Sequence, residues 1–257
     1  MKWLGKSSFL CLLIITAASN LYGQTPEPAT ANNADNEDRT VLMRNEFSGG
    51  LVLHSSGFGI TLRRAKQQTY KRKKFIEIDI VSMTDPKEVS SQNPYYEGSK
   101  SFIYGKMNDF IVPRIGIGRQ QVIFAKAHTT GVEVRCQYSL GASLGITKPI
   151  YLNILEDSGN PDFKNVVVAQ ADPKYTPDVI YGNASFTYGL GQMQLHPGGY
   201  VKGGVSFEWA KYPDQVWAIE TGVAVDIYPH EIPIMAFIEN KQVFFNFYVS
   251  LSYGGKW

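Results

Sequence analysis

The feature that most constrains this chain is an alternation of apolar and polar residues with period two, repeated along its length in unusually long runs. The last run shows it best. Val243, Phe245, Phe247, Val249, Leu251 and Tyr253 share one face, and Gln242, Asn246, Ser250 and Ser252 share the other, where Phe244 and Tyr248 are exceptions. Successive side chains on a strand point to opposite faces, so the pattern reads as β structure with one apolar face. The run before it sets Trp217, Ile219, Val223, Val225 and Ile227 against Ala218, Glu220, Gly222, Ala224 and Asp226. Earlier, Val201, Val205, Phe207 and Trp209 oppose Lys202, Gly204, Ser206 and Glu208. A run over 132–146 puts Val134, Cys136, Tyr138 and Leu140 opposite Glu133, Arg135, Gln137 and Ser139. A strand of about 15 residues is well beyond the usual 5 or 6. Runs over 47–54, 58–64, 75–83 and 110–124 follow the same rule. In the third, Ile76, Ile78 and Ile80 oppose Glu77 and Asp79; the fourth starts with Ile111, Ile115 and Ile117 opposite Arg114, Gly116 and Gly118, then loses phase near Gln120. That makes eight strands. Val166, Val167 and Val168 with Val179 and Ile180 offer an extra hairpin, which would raise the count to ten.

Which face is apolar decides the solvent. The polar face is rich in Gly and Ser and carries both signs of charge, while the apolar face is bulky and is ringed at its ends by Trp209, Trp217, Tyr228, Tyr253 and Trp257. A soluble β-sandwich shares the alternation. Three features favour a transmembrane β-barrel, whose lipid face is apolar and girdled by aromatics. First, residues 1–23 read as a secretory signal peptide, with Lys2 and Lys6 before an apolar run over 9–18 and Gly23 at its end. That run is about 10 residues, half of what a membrane-spanning helix needs. Second, the strands reach or exceed the roughly 9 to 11 residues that cross a bilayer. Third, the last alternating strand is followed almost at once by Trp257. The expected fold is therefore all-β, an antiparallel up-and-down transmembrane β-barrel over 45–257, preceded by a flexible periplasmic segment over 24–44.

The leader before Gln24, the length that follows it, and the closing strand Phe245-Asn246-Phe247-Tyr248-Val249-Ser250-Leu251-Ser252-Tyr253 with Trp257 resemble the small outer-membrane β-barrel proteins of Bacteroidota, of which the PorT-like barrels are best known. The resemblance spans the mature chain in architecture, with specific residues only in the leader and last strand. It implies an outer-membrane location in a Gram-negative envelope and carries over no catalytic residue.

Function classes narrow further on counts. Net charge is +2, with pI near 8.3, so no global field points to nucleic acid. The two cysteines, Cys11 in the leader and Cys136, exclude a disulfide framework and a structural zinc cluster. Gly141-Ala142-Ser143-Leu144-Gly145 matches a nucleophile elbow, followed by Asp226 and His230, but Ser143 lies mid-strand where an elbow needs a strand-turn-helix. His54, His128, His196 and His230 lack metal-ligand spacing. Gly116-Ile117-Gly118 and Gly189-Leu190-Gly191 lack a third glycine and a helix, and read as glycines of a crowded inner wall. Neither a cofactor nor a metal is implied.

Longer connections on the outside and short ones in the periplasm put the basic run Arg63, Arg64, Lys66, Lys71, Arg72, Lys73 and Lys74 in a periplasmic loop, facing anionic headgroups or a periplasmic partner. With the topology inverted, it would face lipopolysaccharide phosphates. The apolar run Ile232-Pro233-Ile234-Met235-Ala236-Phe237 should pack over the barrel mouth or meet another membrane protein. Inside, Glu77, Asp79, Glu133, Glu208, Glu220 and Asp226 face Arg63, Arg114, Arg135 and Lys202, an excess of two acids. Arg114 and Arg135 are expected to pair with Glu77, Asp79 or Glu133 as a polar plug. The leading function is a non-enzymatic structural or accessory subunit of an envelope assembly with recognition in long outer loops. Its partners would be outer-membrane lipid, lipopolysaccharide and possibly another envelope protein. A narrow solute channel and a lipid-modifying barrel enzyme using His54 and Ser55 are the alternatives.

Overall fold

The computed structural model describes residues 44–95, 98–126, 131–154, 164–166, 177–210, 212 and 214–257. The expected signal peptide and the segment up to residue 43 lie outside them. Eight strands form a closed ring: β1 (Asn45–His54), β2 (Gly57–Thr69), β3 (Arg72–Met83), β4 (Asn108–Phe124), β5 (Glu133–Pro149), β6 (Gln194–Glu208), β7 (Gln215–Ile232) and β8 (Lys241–Lys256). Each strand pairs antiparallel with its neighbours in sequence, and β8 closes on β1 with Glu46 opposite Lys256 and His54 opposite Tyr248. Closure leaves the wall without an unpaired edge, which a bilayer would penalise heavily.

One end of the ring carries the connections 55–56, 84–107, 150–193 and 233–240, and the other carries 70–71, 125–132 and 209–214 together with the start of β1 and the end of β8. Short turns in outer-membrane barrels are periplasmic and long loops are external. The first end is therefore the outer one.

Side-chain burial inverts that of a soluble fold. Phe247 is 63% exposed and Ile117 64%, whereas Glu77 and Asp226 are fully buried. The exposed apolar residues run around the whole wall, including Leu51, Ile60, Ile78, Leu140, Val201, Ile219 and Phe245. A soluble monomer shows apolar patches of only a few hundred Å². Such a wall belongs in lipid, and the molecule is a membrane-spanning barrel of the outer-membrane type.

The ring holds eight strands and not ten. Leu152–Ile154 pairs on one side with Lys164–Val166 and on the other with Ile180–Asn183, making a three-stranded sheet apart from the barrel wall. The two apolar runs thus flank a shared middle strand and do not form a hairpin with each other; Val167 and Val168 lie outside the described residues. The apparent loss of phase near Gln120 also has a physical reason. Gln120 is buried while Arg119 and Gln121 are exposed, so alternation continues, and the register shifts only between Val122 and Phe124. The outward residues simply turn polar near the periplasmic rim.

Inner-wall glycines make room for lumen rings. A Cβ at Gly116 would collide with the Tyr200 hydroxyl, one at Gly118 with the Phe75 ring, and one at Gly198 with Tyr228. Gly189-Leu190-Gly191, expected on that wall, instead forms a short 3-10 turn in an outer loop. Gly189 has φ 87°, a left-handed conformation that favours glycine.

An arginine at position 247 would meet lipid near mid-wall, costing about 2–4 kcal/mol. Phe247→Arg should therefore fold into lipid vesicles with a lowered urea midpoint or not at all, whereas Phe247→Leu should fold normally with unchanged heat-modifiable migration. Equal folding of the two variants would refute the outward placement of Phe247.

Candidate functional site

The lumen is filled by charge in layers, because strand alternation sends every polar face inward. At the periplasmic end Arg135 on β5 bonds Glu133 and Glu208 and lies 3.9 Å from Glu46. Lys73 bonds Glu46, Lys256 bonds Glu208, and Lys126 approaches Glu208 at 3.7 Å. In the middle layer the Arg63 guanidinium lies between Glu77 and Glu220, 3.0 Å from the latter, and stacks over the Phe75 ring at 4.5 Å. Lys202 stands 3.2 Å from both Glu77 and Asp79. Tyr248 donates its hydroxyl to Glu220, and Ser139 donates to Glu77 at 3.2 Å. Nearer the outer end Arg114 grips Asp226 with two parallel bonds of 2.8 and 2.6 Å, the strongest geometry available to this pair.

Arg135 takes Glu133 as expected, but the pairing of Arg114 differs from the expected one. Arg114 reaches Asp226 across the lumen because Glu77 and Asp79 are already held by Arg63 and Lys202. Glu46, Lys126 and Lys256 join the network beyond the expected lumen set, as does Lys73, which was expected in the basic loop. With them, seven acids meet seven bases, and the expected excess of two acids disappears. Lys73 was legible. It shares parity with Phe75, Glu77 and Asp79, all of which point inward.

The basic run is not a loop. β2 and β3 join through a two-residue turn at 70–71, so the run lies mostly on strands and alternation divides it. Arg63 and Lys73 enter the lumen, while Arg64, Lys66, Arg72 and Lys74 are exposed on the outer wall and Lys71 sits in the turn. The aromatic girdle needs one correction. Trp209, Trp217, Tyr253 and Trp257 are exposed near the periplasmic end, with the Trp217 and Tyr253 rings 4.7 Å apart on facing strands. Tyr228 is 2% exposed, since one step beyond the outward Ile227 its side chain points inward, against Phe110 and Phe244.

That aromatic group belongs to an apolar stopper in the outer third of the lumen, with Val81, Met83, Val112, Ile232, Ile234 and Met235. The 233–240 connection folds down over the mouth. The Met107 amide donates to the Ile234 carbonyl at 2.9 Å, and the Ala236 amide donates to the Gly105 carbonyl at 2.7 Å. Of its apolar residues Phe237 turns outward, at φ 64°, stacked on Tyr104. Lys106 bridges Glu88 at 2.8 Å and Asp109 at 3.2 Å. Burial opposes its charge, yet these two carboxylates prevail and raise its pKa. Above the rim, Phe102, Leu152, Ile154 and Ile180 form a second apolar core. It ties the 84–107 connection to the 150–193 connection, helped by Asn93 donating to the Ile180 carbonyl at 2.9 Å and the Lys100 amide to the Tyr181 carbonyl at 3.0 Å.

The candidate catalytic pairs are not assembled. Ser55 donates to Asn246 at 3.2 Å, while His54 Nδ1 accepts the Ser56 amide, so Ser55 does not give its proton to His54. Ser143 sits within unbroken β5, between Arg114 and Gly198 of its neighbours. His196 contacts Thr147 at 3.0 Å, His230 is exposed near the outer end of β7, and His128 lies outside the described residues. Among the described residues no group of three His, Cys, Asp or Glu side chains is placed to hold a metal.

No protein-family model matches the chain, and no curated protein does. Among solved structures it is similar to Ail, the attachment invasion locus protein of Yersinia pestis, at 10% identity, covering 83% of this chain and 98% of that one with a TM-score of 0.41. The same protein in complex with the heparin analogue sucrose octasulfate matches at 9% identity, over the same shares of the two chains, with a TM-score of 0.40. Neisserial surface protein A matches at 12% identity over 83% of this chain and 96% of its own, with a TM-score of 0.38. The barrel assignment itself rests on the closed ring of pairings and on the opposite character of its two faces.

Removing one partner of a buried ion pair strands the other, at a cost of about 3–5 kcal/mol. Arg114→Ala should therefore lower the urea midpoint of the folded barrel strongly, and the double variant Arg114→Met with Asp226→Leu should recover most of the loss. Additive losses in the double variant would contradict the pairing.

Proposed function

We propose that this protein is a non-enzymatic outer-membrane barrel that anchors an external recognition platform and serves as an accessory subunit of the envelope, without conducting solutes. The observation that carries the reading is the double closure of the lumen. Ion pairs fill its periplasmic and middle thirds, and the stopper around Phe110, Tyr228 and Met235 fills its outer third. An eight-stranded barrel is only just wide enough for its own side chains. What remains for function is the outer end, where two long connections share a core and present Val89, Tyr95, Phe186 and Tyr188 to solvent. An exposed group of large apolar and aromatic side chains on an ordered scaffold suits contact with another envelope component. Kinship with the PorT-like barrels of Bacteroidota belongs to the same reading and is supported by the closing strand.

Three measurements test it. The purified barrel in planar bilayers should show no steady conductance, and its expression should leave the mass of lipid A unchanged. A photo-crosslinking residue at Tyr95 or Phe186 in intact cells should yield one discrete adduct that is absent when the residue replaces Tyr253 on the wall. A stable ion-selective open state, a lipid A mass shift, or the lack of any platform adduct would overturn the reading.

A further inference from the structure

The strand register gathers the outward cations of the basic run with one that the sequence places far away. Lys66 on β2 stands opposite Lys74 on β3, and Lys74 stands opposite Arg119 on β4. Three cations thus form a continuous row on the outer wall. Arg64 lies one outward position above Lys66, and Arg72 one below Lys74. All five are exposed, and no salt bridge among the described residues involves them. This contrasts with the lumen, where the inward Arg63 and Lys73 of the same run are each held by a carboxylate.

Like charges directly opposite on neighbouring strands repel and destabilise a sheet. A row of three with no carboxylate at hand is relieved of that repulsion when an anion from outside the chain sits on it. The level of the row indicates which anion. The next outward row toward the membrane centre is Arg64, Ile76, Ile117 and Leu140, apolar on β3, β4 and β5 and cationic only on β2, and Tyr138 ends the lower row on β5. On β3, β4 and β5 the wall therefore changes from hydrocarbon to headgroup character between these two rows, and on β2 it does so one position higher, at Arg64. Long Lys and Arg stems suit that position, with methylenes on the apolar side and charge at the interface. The short turns and both ends of the ring identify this rim as periplasmic, where phospholipid headgroups lie.

We propose that the outward face of β2, β3 and β4 at the periplasmic rim binds an anionic phospholipid, with its phosphate on Lys66, Lys74 and Arg119 and its acyl chains along Ile76 and Ile117. The proposal rests on the outer-membrane reading and its orientation, and it adds a specific lipid partner to them. Each basic residue near an anionic surface contributes on the order of 1 kcal/mol, so three acting together suffice for selective retention.

The test is native mass spectrometry of the purified barrel in a zwitterionic detergent, titrated separately with phosphatidylglycerol, phosphatidylcholine and lipid A. The unmodified protein should retain phosphatidylglycerol over phosphatidylcholine. The Lys66→Gln, Lys74→Gln, Arg119→Gln triple variant should retain it at least about tenfold less, while Lys241→Gln at the outer end should behave as the unmodified protein. Heat-modifiable migration, followed in parallel, reports the barrel itself. If migration is intact and the triple variant retains phosphatidylglycerol equally, the site is refuted while the barrel stands. A preference for lipid A at this row would refute the phospholipid assignment and the orientation together. Loss of heat-modifiable migration in the unmodified protein would instead refute the barrel.

Discussion

Everything in this molecule depends on the pairing of β8 with β1. A bilayer core offers no water to an orphaned amide or carbonyl, so a sheet can cross it only when its first and last strands meet. Nine consecutive partners, from Glu46 with Lys256 to His54 with Tyr248, make that closure. Closure in turn fixes which face of every strand is inside, because a slip by one residue would send Glu77 and Asp79 into lipid and Ile78 into the lumen.

The lumen then follows from volume and charge. Ionised groups leave water only when paired, and eight strands enclose too little space for a water column beside fourteen charged side chains. The solution is a stack of mutually neutralising groups below an apolar cap. Glycines facing Tyr200, Phe75 and Tyr228 are part of the same economy of space, since a methyl group at those positions would displace a ring. A closed interior moves any recognition to the two ends: the folded loops outside, and the cationic row at the periplasmic rim.

Much of the fold was legible because alternation is a local property. Strand number, the outward face of β8, and the inward placement of Glu220 and Asp226 all follow from parity along single strands. Partner choice was not legible, because it is set by register between strands that no single strand records. Arg114 finds Asp226 on β7, more than a hundred positions away, only once the ring has closed. The basic run was misread for a related reason. A cluster of Lys and Arg looks like a loop, yet Lys73 continues the inward series of Phe75 and Glu77, and the turn needs only Tyr70 and Lys71. Tyr228 was assigned by residue type to the girdle when parity already placed it with Asp226. Arg119 carried no local signal at all, and only its register opposite Lys74 gives it meaning.

The central claim is that the wall faces lipid while the lumen is packed solid. Spin labels placed singly at residues 244 to 249 of β8, in a Cys136→Ser background, test it most directly through collisions with oxygen and with a water-soluble nickel chelate. Labels at Phe245, Phe247 and Val249 should collide freely with oxygen and little with nickel, and those at Phe244, Asn246 and Tyr248 should be shielded from both. Nickel access at the even positions would mean a water-filled pore, and oxygen access there with shielding at the odd ones would mean that the faces are reversed.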